Sequence, residues 1–142
     1  MPFHEAIAIA MASVKANKLR SILTILGVVI GIASVIAVVA ITDEMKTNLM
    51  RTAYNMIIYE ALDFTTGLFT PQGETVSIGI GLPMFIRGMA ETVKAKIKHF
   101  GYNNIKPGDI YVTNDSYITG SHLNHFTFTL PIFHKRKLVG FS

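Results

Sequence analysis

The residues best suited to chemistry lie in the last third of the chain. There the sequence runs Asn114-Asp115-Ser116-Tyr117-Ile118-Thr119-Gly120-Ser121-His122-Leu123-Asn124-His125, rich in the Gly, Ser, Asn and Asp that let a loop fold back on itself. Such a loop can bring Asp115, His122 and His125 to one cation, with imidazole nitrogen suited to zinc, manganese or iron and the carboxylate to harder ions. The His-x-x-His spacing also fits two loop histidines that only hydrogen-bond backbone. Glu60 and Asp63 form a second constellation. Paired carboxylates divide into acid and base where their surroundings push their pKa values apart, and equally they cap a helix end or hold a lysine or arginine. No catalytic residue is assigned. Gly79-Ile80-Gly81 lacks the spacing of a dinucleotide fingerprint, and neither a nucleophile elbow nor a phosphate-cradling loop is present, so the chain carries no nucleotide site. The absence of cysteine removes thiolate nucleophiles, disulfides and Cys-ligated zinc. The formal net charge is +4. Half of it lies before residue 43, where Lys15, Lys18 and Arg20 oppose Glu5, and so thin a basic surface argues against nucleic acid as a partner.

These groups need elements to hold them. Residues 82–100 carry Met84, Phe85, Met89, Val93, Ile97 and Phe100 at spacings near three and four, with lysines at 94, 96 and 98 and Gly101 where a helix C-cap belongs. That pattern predicts an amphipathic helix packed on a sheet. Residues 62–69 and 76–80 read as strands joined by the turn Thr70-Pro71-Gln72-Gly73. Lys106-Pro107-Gly108-Asp109 is a second turn, leading into a short strand over 110–113. Phe126, Phe128 and Leu130 alternate with Thr127 and Thr129 as a half-buried strand, and 137–142 begins a last strand without a partner. The fold class expected is α+β: a mixed helix and sheet unit over 43–142, shaped like part of a larger fold.

Residues 21–42 are 22 consecutive residues without a charge. As a helix they extend about 33 Å, against a hydrocarbon core of about 30 Å. Apolar side chains cover every side, as expected for a helix solvated by lipid. The organisation predicted is therefore an interfacial helical segment over 1–20, a transmembrane helix over 21–42, and the unit over 43–142. Lys15, Lys18 and Arg20 precede the span while Asp43 and Glu44 follow it, which places the N-terminus in the cytoplasm. Gly27, Gly31 and Ser34 form a small-residue stripe at a spacing that lets two helices pair. The apolar pattern continues past the span through Met45, Leu49, Tyr54, Met56 and Ile57, so the helix is expected to run on toward Glu60.

Two resemblances enter on particular residues. Ala16-Asn17-Lys18-Leu19-Arg20-Ser21, Leu23-Thr24, Leu26-Gly27 and Ile30-Gly31-Ile32-Ala33-Ser34-Val35-Ile36 resemble the first membrane helix of macrolide-exporter-type ABC transporter permeases. That likeness implies a transporter-type membrane component with an extracytoplasmic binding module. The second likeness is broader. Asp43-Glu44-Met45, Leu49-Met50-Arg51-Thr52-Ala53-Tyr54, Leu62-Asp63-Phe64, Pro107-Gly108-Asp109, Asn114-Asp115, His122-Leu123, Pro131-Ile132-Phe133 and Leu138-Val139-Gly140-Phe141 are similar to the N-terminal part of the hydantoinase B/oxoprolinase family. The resemblance implies ATP-dependent opening or carboxylation of a small cyclic amide or carbonyl compound, with nucleotide handled by a partner subunit, and a cytoplasmic setting. It also implies that His122 is a metal ligand. His125 stands where one branch of the family has Asp, and Phe85 where many members have His. The family's later His-x-Asp-x-Gly-Gly segment does not occur in this sequence, so the chain is expected to be a partial member without activity of its own.

Overall fold

The computed structural model describes residues 2–79, 81–119 and 122–142. It divides into two compact units, Met1–Ala37 and Val38–Ser142. The first unit is helical. Helix α1 (Phe3–Ala16) buries none of its residues and ends at Asn17, and α2 (Lys18–Thr52) begins directly after it. One helix is thus long and apolar enough to cross a membrane, and none of its most apolar stretch is buried. Within it the hydroxyls of Thr24 and Ser34 donate to the carbonyls of Arg20 and Ile30, at 2.9 and 2.7 Å, so both are satisfied inside the helix.

The helix continues past the apolar stretch, as the sequence pattern predicts, but stops at Thr52 and not near Glu60. A separate turn of helix follows, α3 (Met56–Tyr59), capped by Asn55, whose side chain accepts the Ile57 N–H at 2.9 Å. An Asn at this position offers its side-chain oxygen to a backbone donor in place of a helical carbonyl and so caps a new helical turn.

The second unit is α+β. Strands β1 (Thr66–Phe69) and β2 (Thr75–Gly79) form the expected hairpin, with Gly73 at φ +83° in its turn. Strand β1 starts four residues later than the sequence suggests. Leu62 is in the left-handed region (φ +55°) and the Phe64 N–H bonds back to the Leu62 carbonyl at 2.7 Å, a tight turn that excludes strand pairing. After a single 3-10 turn at Pro83–Phe85, helix α4 (Ile86–Phe100) ends at Gly101, φ +80°. Then come β3 (Tyr111–Thr113), the short α5 (Ser116–Thr119), β4 (Thr127–Thr129), β5 (Pro131–His134) and β6 (Lys137–Phe141).

The sheet order β2-β1-β6-β5 corrects two expectations. Strand β6 is not an orphan: it is paired on both sides, with β5 and with β1. The β5 strand itself was not legible, because the turn between it and β6 places Lys135 and Arg136 at φ 46° and 67°. A two-residue turn of this kind ordinarily announces itself with Asn-Gly or Asp-Gly. The core gathers where α4 crosses the sheet: Phe69, Val93, Ile105, Tyr111, Leu138 and Phe141 are buried, with Met89, Ala90, Ile97 and Phe133 against them. Thr42, near the C-terminal part of α2, is also buried, its hydroxyl shared between the Val39 carbonyl at 2.9 Å and Ser77 Oγ at 3.0 Å.

The second sheet, β3 with β4, reverses the expected faces. Thr129 is 1% exposed, whereas Phe126 and Phe128 are 56% and 59% exposed. The reason is Lys96. It does not join Lys94 and Lys98 on the solvent side of α4; it is 6% exposed and its Nζ donates to the Thr127 carbonyl at 2.7 Å, Thr129 Oγ1 at 2.9 Å and the Tyr111 carbonyl at 3.2 Å. A buried ammonium needs oxygen around it, so the threonine face of β4 turns inward and the phenylalanine face turns out.

Candidate functional site

An open cavity of about 1150 Å³ lies in the second unit, walled mostly by apolar side chains of α4, β1 and β4. Its polar lining includes Asp63, Asn124, His122 and His125. The two histidines are brought together by a turn in which the His125 N–H donates to the His122 carbonyl at 2.9 Å, and the Asn114 side chain fixes that turn through the Leu123 carbonyl at 3.1 Å. Their ring centroids are 6.1 Å apart. His125 also packs edge-on against Phe85, with ring centroids 4.7 Å apart at 83°, so Phe85 serves as an apolar wall for it.

Burial pushes the His125 pKa below its ordinary value, the positive field of His122 lowers it further, and Asp63 opposes both. Asp63 therefore belongs with the histidines, not with Glu60. It occupies the centre of the tight turn after α3, with its own N–H bonded to the Ile57 carbonyl at 2.9 Å. That turn is packed from outside by Gly81, where a Cβ would collide with the Phe64 carbonyl. Glu60 is the C-cap residue of α3. The sequence showed a carboxylate pair; the turn separates their roles.

Asp115 does not line this cavity. Its carboxylate accepts the Tyr117 N–H at 2.9 Å and its own N–H bonds to Thr113 Oγ1 at 3.1 Å, which starts α5. Gly120 and Ser121, between Asp115 and the histidines, lie outside the described residues. Among the described residues no three His, Asp or Glu side chains are grouped so as to hold a metal ion. Two imidazoles are fewer donors than a tight transition-metal site employs.

Sequence reasoning missed Lys96, although the signal was there: it follows Val93 by three residues and Thr92 by four, on the buried stripe of α4. Burial holds its pKa down at about 8. The Tyr111 hydroxyl donates to the Asp109 carboxylate at 2.6 Å, and desolvation together with this bond pushes the pKa of the phenol up to about 12. The same bond, with the Lys106 N–H, holds the Asp109 carboxyl below the usual range. Pro107-Gly108-Asp109 is thus a structural turn, with Gly108 at φ +89°.

Against known proteins, residues 35–142 match the model of the hydantoinase B/oxoprolinase family. The chain belongs to that family. It is 40% identical over 101 residues to 5-oxoprolinase 1 of Arabidopsis thaliana, covering 71% of this chain and 8% of that protein. It is 32% identical over 103 residues to an uncharacterized protein of Methanocaldococcus jannaschii, covering 71% of this chain and 18% of the relative. The chain thus spans less than a fifth of the length of either. A separate, shorter likeness, 48% identity over 44 residues, is to a macrolide export ATP-binding/permease protein of Escherichia coli, covering 31% of this chain and 7% of that protein. The match to the family starts three residues before the second unit does.

Proposed function

We propose that this chain is a membrane-anchored, partial hydantoinase B/oxoprolinase-family polypeptide whose second unit forms one wall of a site for a small cyclic amide or related carbonyl compound. The family match over residues 35–142 carries this reading, and the cavity lined by Asp63, His122 and His125 beside apolar walls gives it a location. The implied reaction is ATP-dependent hydrolysis, or carboxylation, with the nucleotide handled by a partner subunit. The chain alone does not turn over. Its purified form, given 5-oxoproline, ATP and magnesium, is expected to release no glutamate above background; sustained release would overturn the assignment as inactive alone.

Metal affinity in this reading is weak at best and runs through His122 and His125, with Asp115, close to them in sequence, as the third ligand the spacing suggests and Asp63 as the carboxylate that lines their cavity. Zinc, manganese or iron would serve there to polarise a carbonyl. Calorimetric titration of zinc into the detergent-solubilised chain is expected to give affinity no tighter than micromolar, and none for the His122→Ala, His125→Ala double variant. Nanomolar affinity in the parent would contradict it.

The 22-residue uncharged stretch supports a single span with the N-terminus in the cytoplasm and the second unit outside, a topology that competes with the cytoplasmic setting an ATP-dependent reaction needs. Gly27 and Gly31, against which nothing packs, and Ser34 leave room for a partner helix. Tyr117 is 98% exposed, so Tyr117→Cys in intact cells is expected to react with an impermeant thiol reagent. Labelling only after lysis would reverse the orientation and return the unit to the cytoplasmic setting that the family suggests. The alternative reading, a permease-type membrane component with an extracytoplasmic binding module, is favoured by the Escherichia coli likeness. It predicts co-purification with an ABC ATPase subunit, which the first reading does not.

A further inference from the structure

Four consecutive basic residues close the β5-β6 hairpin: His134, Lys135, Arg136 and Lys137. All four are exposed. His134 and Lys137 are paired across the ladder, so Lys135 and Arg136 form a two-residue turn, both in the left-handed region at φ 46° and 67°. Long side chains are strained there, whereas Asn-Gly fills such a turn without strain. The charges add a second cost. Adjacent cations repel, and among the described residues the ion pair present is that of Lys94 with Glu91, in which none of the four takes part. Two independent effects thus weigh against these residue types in the fold itself. Strain and charge gathered on one turn point to a role outside the fold.

The hairpin that carries the turn is well anchored. Leu138 and Phe141 are buried, and Phe133 packs against the same core. Its other face differs. Ile132 and Val139 lie two residues along their strands from His134 and Lys137, hence on the same side of the hairpin, and both are exposed. The outer face therefore carries two aliphatic side chains below a cationic tip. Lysine and arginine are the side chains that bind phosphate groups. A partner with phosphates at its surface and apolar groups just beneath them is a phospholipid bilayer. Nucleic acid and soluble phosphates offer the charge without that layer, and so few basic residues do not follow a duplex.

We propose that the β5-β6 tip is a contact for a membrane surface rich in anionic phospholipid, with Lys135, Arg136 and Lys137 toward the phosphates and Ile132 and Val139 toward the apolar layer below. Each basic side chain near such a surface strengthens partitioning roughly fivefold, and the attraction fades within about a Debye length. The proposal concerns the second unit alone. It needs neither metal nor substrate, and it holds whether or not the apolar helix spans a bilayer.

The test supplies the apolar helix with its own lipid first. The full chain, held in phosphatidylcholine nanodiscs, is mixed with separate vesicles of equal parts phosphatidylglycerol and phosphatidylcholine, and the fraction that sediments with the vesicles is measured. The variant is Lys135→Asn, Arg136→Gly, which removes two charges and supplies the residues the turn favours. It is expected to bind the vesicles about thirtyfold more weakly, the share of two basic side chains. Its unfolding constant in urea is expected to fall about fivefold as the turn loses strain. Binding lost from a more stable protein is not a folding defect. Should that variant prove less stable, Lys135→Gln, Lys137→Gln carries the same comparison, with the same thirtyfold loss expected. Equal sedimentation of parent and variant would overturn the proposal. So would parent binding at the same level to vesicles of phosphatidylcholine alone, or binding that survives about 1 M salt, where the Debye length is about 3 Å. Tighter binding of a DNA duplex than of the vesicles at equal phosphate concentration would overturn it too, with nucleic acid the partner instead.

Discussion

The two sheets of the second unit are built from similar proportions of apolar residues and use them differently. In β2-β1-β6-β5 the large side chains point inward: Phe69, Leu138 and Phe141 are buried under α4. In β3-β4 Tyr111 joins the core, but the inward positions of β4 belong to Thr127 and Thr129, whose carbonyl and hydroxyl oxygens accept from the Lys96 ammonium, while Phe126 and Phe128 face out. Apolar burial is proportional to area and indifferent to direction. A buried charge is directional, because each of its hydrogens needs an oxygen at bonding distance. The first sheet is thus ordered by apolar burial, while the face that β4 turns inward is set by one lysine, which leaves Phe126 and Phe128 exposed.

The contrast can be broken most severely in the first sheet. Phe141→Ala removes a side chain that is 1% exposed at the centre of the core and is expected to cost about 3–5 kcal/mol, read from urea unfolding of the detergent-solubilised chain by tyrosine fluorescence. A loss below about 1 kcal/mol would show that the first sheet is not the main store of stability.

Next in size is Lys96→Ala, which strands the Tyr111 and Thr127 carbonyls. With hydrogen bonds to a charged group worth about 1.5–3 kcal/mol, a loss of about 2–3 kcal/mol is expected. The pH dependence distinguishes charge from packing. The folded pKa of Lys96 is depressed from 10.5 to about 8, so between those values the unfolded chain binds more protons than the folded one. Stability must therefore rise with pH across that window and be flat with respect to this group below it. Lys96→Met is expected to lack the rise. A parent chain whose unfolding midpoint falls between pH 8 and 10 while the variant's does not would reverse the sign and refute the buried cation.

Thr42→Val tests how α2 is joined to the first sheet. It keeps the shape and deletes the hydroxyl that meets Ser77 Oγ and the Val39 carbonyl, with an expected loss of about 1 kcal/mol. A double-mutant cycle with Ser77→Ala assigns the share that belongs to the pair. Smallest of all, Phe128→Thr is expected to change stability by less than about 0.5 kcal/mol, because the ring it removes is exposed. A large loss would mean that this face is already covered in solution.

Much was legible before any fold. The uncharged run over 21–42 and its basic flank needed only counting, because the length and apolar character of a helix depend on its side chains one by one and hardly on what lies elsewhere in the chain. Helix α4, its Gly101 cap and the β1-β2 hairpin were equally local, set by period and turn chemistry. The family, too, could be read from short motifs spread over residues 35–142.

What the tertiary structure decided was of another kind. Spacing groups Asp115 with the histidines and says nothing of Asp63, about 60 residues earlier in the chain, which lines their cavity. No local rule reaches that far, since the approach depends on how the turn at Leu62 is packed under Gly81. The faces of β4 depended on a lysine 31 residues away in sequence. Alternation fixes which side chains share a face; only the partner across the interior decides which face is buried, and here that partner was a charge.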